Sequence, residues 1–273
     1  MVEKQEATIG TVAAIWRYPV KSMMGEELNS VEVTEQGLLG DRAYALVDVE
    51  TGMIASAKNP RKWPTLFDHR AVFVEPPRLE SGLPPVRITL PDGVQVASHG
   101  DAETFLSGTL GRDVRLAATA PNEPELEEFW PDIEGLDHKE IVTDEAMPEG
   151  TFFDLAVVHL LTTATIDRLR ALYPSGRFEP RRFRPNIVID SGTAEGFVEN
   201  TWVGRTISIG GKVRLRITDD CPRCVMTTLP QGDLPKDPGI LRTAAQNNGV
   251  HVGVYADVVR AGQVRRGSQI SLE

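Results

Sequence analysis

Short apolar runs, broken every few residues by turn formers, restrict this chain to a β-rich fold. Ile9 to Trp16, Leu28 to Thr34, Ala43 to Asp48, Met53 to Ala57, Ala71 to Val74, Val86 to Leu90 and Val94 to Ala97 are each strand-length, and several alternate. Glu50-Thr51-Gly52, Pro76-Pro77 and Pro91-Asp92-Gly93 separate some of them, and Asp92-Gly93 is a hairpin signal. One helix interrupts the run: Asp101 can cap it, Phe105 and Leu106 give it an apolar side, and Gly111 can end it.

The second half opens with LAVVHLLTT, read as a buried strand running into a helix that Thr162 or Thr163 can cap. Ile166, Leu169 and Leu172 form the inner side of that helix, and Pro174 stops it. Further strands are expected at Asn186 to Asp190, Arg205 to Ile209, Val213 to Thr218, Cys224 to Leu229, Val250 to Val259 and Ser268 to Leu272. A last short helix covers Gly239 to Gln246, after Asp237-Pro238 and before Gly249. Helices that are few and do not alternate with strands disfavour a doubly wound α/β fold. The expectation is a mainly β protein with a few short helices, in two β-rich, barrel-like units: residues 1–120 and residues 121–273.

The chain has 273 residues and a formal net charge of −10. That balance opposes the phosphate backbone, so nucleic acid is excluded as a partner class. Eleven acids and a single base, Lys139, fall within residues 122–149, leaving the remainder formally neutral. This segment reads as a solvated linker, or in a sharper reading as a docking strip for a basic electron-transfer partner. No apolar run approaches a membrane span, and the N-terminus is acidic where a signal peptide would be basic, so no membrane association is expected. Two cysteines are too few for a disulfide framework, and the protein is expected to be cytoplasmic.

The most chemical stretch is Asp219-Asp220-Cys221-Pro222-Arg223-Cys224-Val225-Met226. A zinc site needs about four ligands, and the five histidines show no paired spacing. A thioredoxin-type dithiol needs a helix start after the motif, whereas VMTTLP reads as a strand. Two readings remain: an unreactive pair in a loop, or a single thiolate, favoured by the field of Arg223, that ligates a thiophilic metal. Motif chemistry alone does not choose between them.

The wider sequence carries a resemblance. RFRPNIVID at 182–190, CPRCVMTT at 221–228 and DPGILRT after it resemble the MOSC domain, named for the C-terminal part of molybdenum cofactor sulfurases. IWRYPVKS at 15–22, GLLGDRAYALVD at 37–48 and MIASAKNPRKWPTL at 53–66 resemble the N-terminal β-barrel domain that precedes it. The resemblance spans nearly the whole chain, with its blocks in order. The chain thereby also resembles the mitochondrial amidoxime-reducing components and their bacterial counterparts.

That resemblance implies a molybdenum cofactor (Mo-molybdopterin) with Cys224 as metal ligand and catalytic centre, and Cys221 as a neighbour. It implies reduction of N-hydroxylated small molecules such as amidoximes and hydroxylamines. Electrons would come from a separate electron-transfer protein (ferredoxin-, flavodoxin- or cytochrome b5-like) and its reductase. The alternative is a carrier of cofactor or sulfur without turnover of its own. The expected cofactor-binding residues are Lys21, Ser22, Arg42, Thr162, Thr163, Arg184, Asn186, Pro222, Arg223 and Tyr255. Cations and forked guanidinium donors suit a pterin phosphate, Asn186 can both donate and accept, and Thr162 and Thr163 place hydroxyls at a helix start. Proline at 222 departs from the family's small polar residue. Arg181 and Arg182 are expected to be solvated or paired. No general acid is evident, and Asp219 or Asp220 is the candidate proton source. Taken singly, Asn186 also reads as a turn residue, Tyr255 as a core residue, and the threonines as ordinary caps.

Overall fold

The computed structural model describes residues 7–134 and 138–273; of the acidic segment's eleven acids, Asp137 lies outside them. Seven strands close into a barrel: β1 (Ala7–Arg17), β2 (Val158–Thr162), β3 (Ile187–Asp190), β4 (Thr206–Ile209), β5 (Val213–Pro222), β6 (His251–Arg260) and β7 (Gln269–Leu272). Around it the order is β1-β3-β2-β6-β5-β4-β7 and back to β1. Only β2 and β3 pair in parallel. A parallel pair needs a crossover, and here it carries α2 (Thr163–Leu172) and α3 (Pro180–Phe183). The interior is filled by inward-facing branched residues such as Ile15, Leu160, Ile189, Leu215 and Val254. Closure removes the exposed sheet edges that so strand-rich a chain would otherwise present.

The sheets do not respect the division near residue 120. Strand β1 comes from the first half, yet it joins β3 and β7 of the second. Ser30–Thr34 pairs with Gly262–Arg265, a further strand exchanged between the halves. The rest of the first half is a separate assembly of small sheets. Arg70–Phe73, Val86–Thr89 and Gln95–Ala97 form one, and Ala45–Asp48 pairs with Val114–Ala117. Helix α1 (Ala102–Leu110) packs Leu106 into the core with Trp63, Leu66 and Ile88, while Phe105, expected inside, stays exposed.

Three local expectations are corrected. Met53 to Ala57 is no strand; Ile54 alone makes isolated bridges. Cys224 to Leu229 is not a strand either: Val225–Thr228 forms a single 3-10 turn. Val225, Met226 and Leu229 are drawn into the first half's core, and this tertiary burial overrides β-branched propensity. The acidic segment is no linker. Glu125–Trp130 and Ile141–Ala146 form an antiparallel hairpin with Glu127 opposite Asp144. Buried Leu126 and Phe129 anchor it, and Lys58, Lys62 and Arg61 offset the charge of Glu128, Glu127 and Glu140.

Candidate functional site

A cavity of about 580 Å³ opens where the barrel, the first half and the hairpin meet. Lys21, Ser22, Arg42, Arg184, Asn186, Pro222, Arg223, Cys224 and Tyr255 all line it. These residues come from both halves of the chain. The four cations singled out from the sequence, Lys21, Arg42, Arg184 and Arg223, therefore converge, and Lys58 joins them.

Cys224 caps the 3-10 turn at the end of the β5 loop and is half-buried. What holds the turn is Arg182, fully buried and bonded to backbone carbonyls where solvation or pairing was expected. Its guanidinium donates to the carbonyls of Arg177, Thr227, Leu229 and Pro235. Arg181 is paired, with Glu179 and Asp233. Burial pushes the Cys224 thiol up to about 12, the Glu128 carboxylate adds to this, and Lys58 and Arg223 only partly oppose it. The expected thiolate field from Arg223 is thus outweighed: the isolated thiol holds its proton, and a metal would have to displace it. Cys221 is buried, and Arg223 donates to its sulfur at 2.6 Å and to the Phe183 carbonyl at 2.8 Å.

The cationic wall is rigid. Arg184 donates to the Met23 carbonyl at 2.7 Å and stacks 4.0 Å from the centre of the Tyr18 ring. Arg42 pairs with Asp41 and approaches the same ring at 4.6 Å. Desolvation lowers Arg184 to about 10, with the Arg42 charge adding to the effect. Lys21 bonds the Phe152 carbonyl and Asp154. Burial raises Asp154, but Lys21 and Lys58 outweigh it and hold the carboxyl well below the usual range. Asn186 is spent on the protein itself, accepting from the His159 N–H at 3.0 Å and donating to Asp41 at 2.8 Å. Ser22 accepts from the Ala57 N–H. Of the five non-glycine residues with positive φ among those described, Ser22, Arg42, Arg184 and Val250 line this cavity. Strain of this kind persists only where surrounding structure over-determines it, and it concentrates at functional sites.

Thr162 and Thr163, expected at the site, do not line the cavity. The Thr162 hydroxyl donates to Glu199 at 2.6 Å and accepts from the Thr165 N–H, capping α2. Thr163 shares a hydrogen bond with Ser191. Asp219 and Asp220 are likewise outside; the cavity's carboxylates are Glu128, Glu145 and Asp154. Sequence reading missed these three, together with Lys58 and His159. Lys58 and Asp154 stand inside or beside motif blocks already in view, but nothing in the local pattern marks the hairpin acids as cavity residues. His159 is fixed by its ring Nε2 against the Val252 carbonyl and lies edge-on to Tyr255. Burial and the Arg223 charge lower it to about 3, so it is neutral. Gly253 is required there: with φ of +84°, any Cβ would lie 2.3 Å from His159 Nε2.

The residues present fit an anionic, metal-bearing cofactor. Five cations face three carboxylates, and Arg223 Nε is buried without a partner, a donor left for a ligand. Among the described residues no group of three or more His, Cys, Asp or Glu side chains is placed to hold a metal ion. A metal at Cys224 must therefore bring most of its own ligands.

Comparison with known proteins agrees in order and extent. Residues 9–93 match the family model of the MOSC N-terminal beta barrel domain, and residues 149–271 match that of the MOSC domain. Mitochondrial amidoxime reducing component 2 of Rattus norvegicus is 25% identical over 83% of this chain and 68% of its own length. Mitochondrial amidoxime-reducing component 1 of Homo sapiens is 25% identical over 81% of this chain and 66% of its own. The YUAD protein from Bacillus subtilis superposes with a TM-score of 0.49 at 10% identity, over 96% of this chain and 94% of that one. The chain belongs to the MOSC-domain family, with the MOSC N-terminal beta barrel domain preceding the MOSC domain.

Proposed function

We propose that the protein is a molybdenum-cofactor-binding oxidoreductase that reduces N-hydroxylated compounds such as amidoximes and hydroxylamines, with Cys224 as the metal's protein ligand. The observation that carries this reading is the half-buried Cys224 lining a cavity that gathers five cations. When bound, the cofactor supplies two-electron chemistry, by which R–NHOH, two electrons and two protons give R–NH2 and water. Arg42, Arg184 and Arg223 hold its phosphate and polar rings, and Lys21 adds charge. Tyr18, stacked beneath both Arg42 and Arg184, fixes the direction of their forks. Asp154, ionised by its lysines, balances charge and is a poor proton donor. Phe153, Met147 and Trp130 line the cavity and limit water. Electrons come from a separate ferredoxin-, flavodoxin- or cytochrome b5-like protein. No described helix is long and apolar enough to cross a membrane.

The test is expression in a host that makes molybdenum cofactor, metal analysis of the purified protein, and benzamidoxime with a chemical reductant. Bound molybdenum and formation of benzamidine are expected. Full molybdenum without benzamidine points instead to a cofactor or sulfur carrier, and failure to bind molybdenum ends the reading.

A further inference from the structure

We propose that Glu145 is a specificity-determining residue of this cavity, selecting substrates that carry a positive charge on an apolar framework, away from the N–O bond. This rests on the reductase reading and adds the class of substrate. The argument starts from strand periodicity. In the acidic hairpin, Leu126, Glu128 and Trp130 alternate along one strand, and Glu145 stands opposite Leu126 on the other. Alternation puts these four on one face, and all four line the cavity. The hairpin is thus a cavity wall that mixes apolar surface with carboxylates.

The three cavity carboxylates differ in their partners. Glu128 is neutralised by Lys58 at 2.9 Å, and Asp154 by Lys21. Glu145 makes no ion pair with any described residue. One of its oxygens, Oε1, accepts from the Thr143 hydroxyl at 2.7 Å, and that hydroxyl in turn accepts from Trp130 Nε1 at 2.8 Å. The chain Trp130–Thr143–Glu145 holds the carboxylate beside an aromatic ring, and no described group bonds its second oxygen. Glu145 is uncompensated in a cavity whose opposite wall repels cations. A substrate cation finds its single complementary position there, with Trp130 and Met147 to cover the adjoining apolar framework. Glu145 stands opposite Leu126 rather than opposite Glu128, one step along the hairpin from the carboxylate that acts on Cys224, and so reads a substituent away from the reacting nitrogen.

The test uses three para-substituted benzamidoximes on molybdenum-loaded protein: aminomethyl (cationic), methyl (neutral) and carboxylate (anionic). The native protein is expected to rank kcat/KM cation over neutral over anion, with the first step about fivefold, as for a partly shielded ion pair. Glu145→Gln brings the cation-to-neutral ratio towards one, and Glu145→Lys inverts it. Thr143→Val, which frees the carboxylate, lowers the ratio part of the way. Calorimetry with the corresponding non-reducible benzamides, which are uncharged at the former reacting end, gives a second readout: the aminomethyl compound binds more tightly than the methyl one, and Glu145→Gln removes the difference. A flat ranking in the native protein, or one untouched by both Glu145 variants, overturns the proposal. Where no amidoxime is reduced although molybdenum is bound, the reductase reading fails. The calorimetric difference then decides this proposal alone, with loss in Glu145→Gln supporting it and no difference sinking it.

Discussion

The two walls of the cavity are built on opposite principles. The cationic wall is made of loop residues in costly backbone conformations, Ser22, Arg42 and Arg184, each locked by a carbonyl, a carboxylate, a ring or a backbone N–H. The facing hairpin is regular β structure whose outer strand, Ile141–Ala146, is largely exposed. A wall that stores strain and spends its donors on fixing guanidinium groups suits a single ligand of constant shape. A regular, half-exposed ribbon tolerates side-chain replacement at each inward position without disturbing its neighbours. The contrast separates residues that hold a cofactor from residues that choose among substrates.

The largest expected effect lies where the walls meet. Cys224→Ser should abolish molybdenum-dependent reduction, by about a thousandfold or more, because an alcohol is a harder and far less acidic ligand than a thiol. Its circular dichroism should match the native protein. Cys221→Ser should lose less, since that sulfur orients Arg223 rather than lining the cavity. Equal losses from both would instead indicate a dithiol, and a fully active Cys224→Ser protein would end the assignment of Cys224.

Next in size is Arg182, the post behind the cationic wall. Arg182→Met leaves the Thr227, Leu229 and Pro235 carbonyls without their donor and should cost about 3–5 kcal/mol in urea unfolding. The hairpin offers a control: Arg61→Ala, which breaks an exposed pair with Glu140, should cost under about 1 kcal/mol. Similar losses from the two would erase the distinction between a locked wall and an adaptable one.

A pH experiment sharpens the same contrast. His159, behind the cationic wall, titrates near 6.5 when unfolded but only near 3 when folded. Between these values the unfolded chain binds a proton that the native state refuses, so stability falls as pH falls. The slope is up to about 1.4 kcal/mol per pH unit for one such group. Buried His69, also lowered, contributes to the same limb. Asp154 acts below it: its stabilisation is present above the ordinary carboxylate pKa and lost as pH falls further. Thermal unfolding from pH 6.5 to 4.5 should therefore show a shallower acid loss in His159→Gln than in the native protein. An unchanged slope would mean that His159 is protonated in the folded state.

Legibility in the sequence followed range of interaction. The barrel strands were readable because each is a short alternating or continuously apolar run, and α4 (Gly239–Asn248) because Asp237-Pro238 and Gly249 bracket it. Lys21, Arg42, Arg184, Arg223 and Cys224 were found through motif blocks. The strain at Arg42 and Arg184 was invisible, because a positive φ such as that of Arg184 is held by the stack on Tyr18 and the bond to Met23, partners distant in sequence. The 3-10 turn after Cys224 and the burial of Arg182 were misread for a related reason. VMTTLP carries strand propensity, and only docking into the first half's core reverses it. The acidic hairpin was hidden by its own charge: eleven acids read as solvent-exposed until Lys58, Lys62 and Arg61 are known to meet three of them.

The smallest expected effect on metal binding tests what belongs to neither wall. Thr162 sits at the start of α2, where its hydroxyl both accepts from the Thr165 N–H and donates to buried Glu199. Burial raises Glu199, and the hydroxyls of Thr162 and Thr165 only partly offset this, so the carboxyl depends on them. Thr162→Ala removes the cap and one of those donors and should cost about 1–2 kcal/mol, the usual loss for an N-cap threonine. Because Glu199 is raised, its ionisation opposes folding once pH climbs above its unfolded value, and the variant's deficit should narrow below about pH 4.5. Molybdenum content per folded protein should be the same in Thr162→Ala as in the native protein, whereas Arg184→Gly, which keeps the positive φ but removes the guanidinium, should lower it. Loss of metal from Thr162→Ala at full folding would place the start of α2 in the binding site after all, and the boundary drawn around the cationic wall would have to move.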